Sequence, residues 1–257
     1  ELSIIYTPLH GAGNVPVREA LKLAGFGNVR VVAAQERPDG GFPTVKSPNP
    51  EEREAFAMAI EQAKREGADL IIGTDPDCDR MGAVVKNERG EYVVLTGNQS
   101  GAILVHYLLT ALREAGRLPD NGAVVKTIVT SEMGADIARS FGVRVDNTLT
   151  GFKYIGERMT RYEQTGEATF LFGYEESYGY LAGHYARDKD AVVASLLIAE
   201  AAAYYKRQGK TLYDVLLELY ETYGYYFESL ESRTLKGLDG VRKIQGIMED
   251  WRTAPPA

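Results

Sequence analysis

The amino-acid sequence predicts an α/β protein made of two similar three-layer α/β domains, each with a mixed, mostly parallel sheet. Three observations carry this expectation. Short apolar runs alternate with segments of helical periodicity along the chain, the order that yields parallel strands joined by crossover helices. The order then repeats: Leu70-Ile-Ile-Gly-Thr-Asp75 superposes on Phe170-Leu-Phe-Gly-Tyr-Glu175, each a buried strand running into an acidic loop. Finally, 257 residues with 44% hydrophobic and 25% charged side chains supply core for two ordinary domains and rule out disorder as the main state.

The first half opens with an apolar strand at 2–6, a glycine-rich loop at 7–14 and a helix whose buried face is Val17, Ala20, Leu21 and Ala24. Gly25-Phe-Gly27 ends that helix, because glycine accepts the left-handed conformation a helix stop requires. A strand at 29–34 follows. After a long loop, Asn49 caps the next helix, with Pro50 at its first position and Glu51 and Glu52 complementing its positive end. Ala55, Phe56, Ala59, Ile60 and Ala63 form its buried stripe, and Gly67 stops it. A buried strand at 69–72 feeds the loop 73–80. Segments 81–85 and 92–95 form a hairpin turning at 87–90, and a helix covers 99–115.

Residues 114–122 have the composition of a linker, which sets two domains at 1–117 and 118–257. The second half reads strand 123–126, helix 131–141 ended by Gly142, strand 143–145, helix 152–163 and strand 169–172 into the loop 173–179. Helices follow at 191–205 and 212–223, and a short helix lies in the tail after Gly237. Tyr6, Tyr92 and Tyr107 are the tyrosines before residue 150, out of 16, and the excess beyond is read as packing of the second half. The chain lacks an initiator Met, shows no signal peptide and ends Ala254-Pro-Pro-Ala257, so it reads as a piece of a longer chain cut at a domain linker.

Composition excludes several classes. Lys and Arg number 29 against 36 Asp and Glu, a net charge of −7, which argues against a nucleic-acid coat that must displace counterions. No apolar run reaches the ~20 residues that span a bilayer, so no membrane partner is expected. The single cysteine, Cys78, excludes an intrachain disulfide and points to a reducing compartment, hence a cytoplasmic protein.

The loop after the strand at 69–72 carries the chemistry. Asp75, Asp77 and Asp79 alternate there, and three carboxylates so placed repel one another unless a hard divalent cation joins them; beside a phosphate, Mg2+ is the usual choice. Arg80 follows, and its fork of donors suits a phosphate or carboxylate. An EF-hand would need Gly and Glu where Arg80 and Lys86 stand. An aspartyl-phosphate loop usually has Thr or Val where Asp79 stands. A solvated acidic turn leaves three acids and an arginine after a buried strand unexplained. Cys78 has no neighbouring His and sits among carboxylates, so it is read as filling the loop and not as a nucleophile. His10 and His184 lie on turns and are read as structural.

These residues resemble the α-D-phosphohexomutases. Gly-Thr-Asp75-Pro-Asp77-Cys-Asp79-Arg80 looks like their magnesium loop, Thr150-Gly-Phe-Lys-Tyr-Ile155 their sugar-contact loop and Glu175-Glu-Ser177-Tyr-Gly179 their sugar-hydroxyl loop. Arg187-Asp-Lys189-Asp190 follows as in the phosphoglucomutase branch, and Thr7-Pro-Leu-His-Gly11 and Phe42-Pro-Thr44 with Pro48-Asn-Pro50 also fit. The resemblance runs the whole chain in order and implies the second and third of four domains. The first would carry a phosphoserine; Ser47-Pro-Asn-Pro50 has Pro where that motif needs His, so Ser47 is not it. The fourth would carry a phosphate clamp that no stretch here matches.

The resemblance implies a phosphoryl group moved between the 1- and 6-hydroxyls of glucose through the phosphoserine and a bisphosphorylated sugar. Asp75, Asp77 and Asp79 would hold Mg2+, Arg80 would contact the transferring phosphate, and Thr150, Gly151, Glu175 and Ser177 would hold the sugar. Arg187 is a secondary phosphate candidate, the alternative being an ordinary surface ion pair. Lys189 is the candidate general acid/base, although Asp188 and Asp190 beside it favour the charged form and so a phosphate or hydroxyl contact. The partners implied are a phosphosugar and the first and fourth domains of the same chain, without which the fragment is expected to be inactive. The rival readings are a phosphopentomutase or phosphomannomutase of the same family, and a non-catalytic metal or sugar-phosphate binding module.

Overall fold

The computed structural model describes residues 1–231 and 233–255. Glu1–Tyr226 forms one compact unit, and a second begins at Phe227. In the first unit β1 (Ile4–Thr7) is followed by α1 (Asn14–Leu23), β2 (Val29–Val31), α2 (Ala57–Glu66), β3 (Leu70–Thr74), β4 (Met81–Lys86), β5 (Tyr92–Val94) and α3 (Gly97–Glu114). Next come β6 (Gly122–Thr127), α4 (Met133–Ser140), β7 (Arg144–Thr148), α5 (Phe152–Thr165), β8 (Thr169–Glu175), β9 (Gly179–Ala182), α6 (Ala191–Lys206) and α7 (Leu212–Tyr223).

The strands form two sheets of the same plan. The first has the order β2-β1-β3-β4-β5 and the second β7-β6-β8-β9. In each, three neighbouring strands are parallel and the next is antiparallel. The internal repeat is therefore a repeat of topology, and the expected α/β class with mixed sheets holds. One strand had not been expected: β9 pairs back on β8 as β4 pairs on β3.

Both faces of each sheet are covered, so the strands are apolar on both sides rather than alternating. In the first sheet Ile5, Ile71 and Val84 face α2 with Phe56, Ala59 and Ala63, while Ile4, Tyr6, Leu70 and Ile72 face inward with Val17 and Leu21 of α1. In the second sheet Ala123, Val125 and Phe170 pack on Phe152, Ile155 and Met159 of α5. The opposite face, with Val124, Phe172 and Tyr174, joins the inner cluster of the first sheet. The helices α3 and α6 lie in this shared core; α6 packs on α1, β3, β4 and β9. That explains why α6 is apolar nearly all round, with Ala191, Ala194, Leu197, Ile198, Ala201 and Tyr205 buried. Asp190 caps it, Oδ1 accepting the amides of Val192 and Val193 at 2.7 and 3.2 Å.

Several boundaries move for identifiable reasons. The second strand ends at Val31, because the chain turns in a short 3₁₀ segment (Ala33–Gln35) that buries Gln35 against the Thr7 hydroxyl at 2.6 Å. Asn49 caps a turn and not the helix: its Oδ1 accepts the Glu51 amide at 3.0 Å, and α2 starts at Ala57 after a 3₁₀ turn at Arg53–Phe56. The intervening residues bring Pro50 and Phe56 down onto Gly82, where a Cβ would meet them at 2.9 and 3.0 Å. The strand expected at 143–145 is Arg144–Thr148, a sheet edge whose polar residues hid it from an apolar pattern. In the second unit the tail helix α8 spans Gly237–Thr253, 17 residues and not short. The linker expected at 254–257 includes Pro256 and Ala257, which lie outside the described residues. Among the described residues no helix is long and apolar enough to cross a membrane.

Candidate active site

Both acidic loops emerge at the carboxyl ends of central parallel strands, where open α/β sheets place ligands. They meet. Arg80 and Gly179 form an antiparallel bridge, the Met81 amide donates to the Tyr178 carbonyl at 3.0 Å, and the Ala191 amide donates to the Cys78 carbonyl at 3.1 Å. The metal-type loop of one half and the sugar-type loop of the other are thus joined by backbone hydrogen bonds.

Asp75, Asp77 and Asp79 each offer an oxygen, and these atoms lie within 4.8 Å of one another. Asp75 is buried; its Oδ1 accepts the amides of Asp79 and Arg80 at 3.0 and 2.9 Å, which curls the loop back on its own start. Cys78 makes the turn with φ 59°, and its thiol is pushed up to about 12, chiefly by burial, which disfavours the thiolate. Beneath the loop, the Ala12 amide donates to the Pro76 carbonyl at 2.8 Å, and the Tyr6 and Thr74 hydroxyls lie 2.9 Å apart. His10 braces this support, with Nδ1 3.2 Å from the Arg37 carbonyl and Nε2 2.8 Å from the Thr44 hydroxyl. It is a structural histidine, as expected.

The carboxylates lack enough positive charge of their own. Asp75 is raised to about 7, first by burial and then by the neighbouring Asp79 and Asp77, despite the amides that pull it down. Three clustered oxygens, one buried and reluctant to ionise, fit a hard divalent cation bound through oxygen. The sign of the resulting pH effect follows. The unfolded carboxyl titrates near 3.8 and the folded one near 7, so the native state holds an extra proton between them. This group's contribution to stability is complete below the lower value and is lost as pH rises through about 7. Measured against Asp75→Asn, a comparison that cancels the opposite contribution of the half-buried His106, the urea midpoint of the metal-free chain should fall between about pH 5 and about pH 7.5, and a divalent cation should restore it at the higher pH. A midpoint that does not fall relative to that variant would contradict this.

Lys189 spans the two halves. Its Nζ lies 3.0 Å from Asp79 Oδ2 and 4.0 Å from Asp188 Oδ1, and its stem crosses Gly179, where a Cβ would come within 2.6 Å of Lys189 Cδ. Burial, the largest effect, lowers its pKa, but Asp79, Asp188 and Glu175 outweigh it and the net shift is upward. Lys189 is therefore a held ammonium. Asp190, the other expected neighbour, is spent on capping α6 and accepting the Tyr185 hydroxyl at 2.7 Å. Arg80 stays open: Glu51 is 3.7 Å from Nη1 and Asp79 3.9 Å from Nε, and Nε is buried without a hydrogen bond among the described residues.

On the sugar-type side, Glu175 is buried, and its Oε1 accepts the Gly151 amide at 3.0 Å. Burial raises its pKa, against the pull of that amide and of Lys189. Gly151 has φ 121°, a conformation that favours glycine, and it starts α5. Thr150 beside it is exposed, and Ser177 is half-buried two residues beyond Glu175. Arg187 turns elsewhere: its guanidinium pairs with Glu163 of α5 and donates to the carbonyls of His184 and Ala186 at 3.0 and 3.1 Å. Sequence reasoning missed Glu176, whose Oε2 accepts from the Thr127 and Thr130 hydroxyls at 3.3 and 3.1 Å, and the buried Lys126, which donates to the Thr130 carbonyl at 2.9 Å. The signal was there, since Lys126 interrupts an otherwise apolar strand, Ala123-Val-Val-Lys126.

Comparison with known proteins agrees with the two-sheet α/β fold. The profile of phosphoglucomutase/phosphomannomutase alpha/beta/alpha domain II matches residues 1–90, and that of alpha/beta/alpha domain III matches residues 96–223. Proteins named phosphoglucomutase from Staphylococcus haemolyticus and Staphylococcus aureus are 41% and 39% identical over 256 residues; these cover 100% of this chain but 46% and 45% of the relatives. The chain thus spans about half the length of the curated relatives it matches. A crystal structure of a phosphoglucomutase/phosphomannomutase family protein from Burkholderia thailandensis shares the fold, with TM-score 0.62 and 19% identity, covering 85% of this chain and 42% of that one. With its two sheets in the same order as its two matched segments, the chain belongs to the phosphoglucomutase/phosphomannomutase family and carries that family's alpha/beta/alpha domains II and III.

Proposed function

We propose that this chain is the central part of a Mg2+-dependent, cytoplasmic phosphosugar mutase that interconverts glucose 1-phosphate and glucose 6-phosphate. The observation that carries the reading is the joining of the two loops, through the Arg80–Gly179 bridge and the Lys189–Asp79 ion pair. It sets a cation-type cluster beside a hydroxyl-binding carboxylate in one face.

Asp75, Asp77 and Asp79 would hold Mg2+, which supplies positive charge to a phosphoryl group in transfer. The remaining work falls to the chain's own residues. Arg80, whose side chain is part-exposed, offers its guanidinium N–H groups to a phosphate oxygen. Lys189, kept charged, steadies a phosphate or hydroxyl and does not take a proton from it. Glu175, pinned by the Gly151 amide, accepts from a sugar hydroxyl, while Ser177 both donates and accepts beside it. Arg187 reaches a phosphate only if it leaves Glu163. In this reading the phosphoryl donor, a phosphoserine, and the final phosphate clamp belong to a first and a fourth domain, so these residues alone do not turn over substrate. Phosphoglucomutase relatives at 41% and 39% identity support glucose over mannose or a pentose.

The test is a mutase assay on a full-length protein containing this chain, with Mg2+ and glucose 1-phosphate, mannose 1-phosphate or ribose 1-phosphate. Glucose 1-phosphate should be converted best, and Asp77→Asn should lower kcat about 100-fold or more. Preference for another sugar would reassign the substrate. No turnover of any would leave the binding-module reading.

A further inference from the structure

Among the described residues, Lys126 is a lysine with no exposed side-chain surface. It lies one residue before the end of β6, the strand between β7 and β8. A buried ammonium is costly unless closely paired, so its partners show what it holds. Its Nζ donates to the Thr130 carbonyl at 2.9 Å and to the Thr127 carbonyl at 3.4 Å, and pairs with Glu132 Oε1 at 2.7 Å. All three acceptors belong to the turn 127–132. The half-exposed Glu132 is shared with Arg139 at 3.3 Å, and the Lys126 hydrogen bond is the main cause that keeps its carboxyl below the usual range.

That turn reaches the sugar-type loop. The Thr127 and Thr130 hydroxyls, 2.6 Å apart, lie 3.3 and 3.1 Å from Glu176 Oε2, and the Glu176 amide donates to Thr130 Oγ1 at 3.2 Å. On the other side the Glu176 carbonyl presses on Gly97 at the start of α3, while Asn98 Oδ1 accepts the Ser131 amide at 3.0 Å. Glu176 is thereby clamped between the turn and α3, and Glu175 and Ser177 flank it.

We infer that Lys126 is a positioning residue: by closing the turn 127–132 it holds Glu176 through Thr130, and so sets the orientation of Glu175 and Ser177 toward a sugar hydroxyl. The inference rests on the proposed function for the ligand, but not for the coupling. The coupling is read in the ligand-free chain by residue-resolved amide hydrogen exchange. Lys126→Met should speed exchange at Ser131 and Glu176 about tenfold, the loss of a charged hydrogen bond, and leave 70–74 unchanged. Thr130→Val, which keeps the carbonyl that Lys126 holds, should speed Glu176 by a similar factor and leave 70–74 unchanged. Faster exchange at Ser131 but not Glu176 in Lys126→Met, or unchanged Glu176 in Thr130→Val, would overturn it. So would a Lys126→Met chain that fails to fold or loosens evenly, since that marks a residue of the whole fold. Glucose 1-phosphate separates the two readings. Protection at Gly151 and Ser177 in the wild type that is lost in Lys126→Met supports the positioning role. No protection in the wild type counts against the proposed function, while the ligand-free comparison still decides on Lys126.

Discussion

Replacing Asp75 with asparagine should weaken Mg2+ binding about 100-fold, roughly 2.7 kcal/mol, while the loop stays folded. The two consequences separate because Asp75 does two things. Its Oδ1 accepts the amides of Asp79 and Arg80, and an asparagine oxygen in the same place still accepts them. Its charge is the part a cation needs, and a unit charge at about 4 Å is worth roughly 4 kcal/mol at the effective dielectric of a protein surface. Relief of repulsion from Asp77 and Asp79 returns some of this, which is why the expected loss is smaller than the Coulomb figure. Calorimetric titration of the two chains with Mg2+ measures the ratio. The wild-type affinity should also fall as pH drops below about 7, where protons compete for Asp75, and that dependence should vanish in the variant. Equal affinities would mean that the cation, if bound, is held elsewhere.

Gly97→Ala should destabilise the chain by about 3 kcal/mol, even though alanine favours helix. Gly97 opens α3, and helical propensity alone would reward the change by up to ~1 kcal/mol. The added Cβ, however, would lie well inside van der Waals contact of the Glu176 carbonyl oxygen and 3.0 Å from the Tyr178 amide nitrogen. Those are backbone atoms in the joined loops and cannot rotate aside. Either α3 or the loop 175–178 must shift, and the second sacrifices the orientation of Glu175. Urea unfolding gives the stability, and exchange at Glu176 shows which side moved. A stability within about 0.5 kcal/mol of wild type would show that the two segments do not meet as described.

Much of this was legible in advance, and the reasons are specific. The repeat that matches Asp75 with Glu175 is a repeat of three parallel strands and one antiparallel, so both loops fall at equivalent strand ends. The same repeat predicts β9 opposite β4, an inference open to sequence but not drawn from it. Thr96 and Gln99 form a capping box that starts α3 two residues earlier than its apolar pattern. Edge strand β7 was legible only to Val145 because its second half is polar: Asp146 accepts the Tyr162 hydroxyl at 2.6 Å and pairs with Arg144 at 2.8 Å. What no local pattern contains is contact across halves. Lys189 was weighed against Asp188 and Asp190, its neighbours in sequence, yet the carboxylate that holds it most closely is Asp79, 110 positions away along the numbering. The roles of Glu176 and Gly97 are hidden for the same reason, since each is defined by the other.

An amide NMR titration of this chain shows whether the two loops make a single ligand-binding face. Mg2+ should move the signals of 75–81 and, across the junction, those of Gly179 and Lys189. Glucose 1-phosphate added next should move Gly151, Glu175 and Ser177 and shift the Mg2+-sensitive signals again. Mg2+ effects confined to 75–81, with sugar-phosphate effects that never touch them, would mean two independent sites and contradict the account.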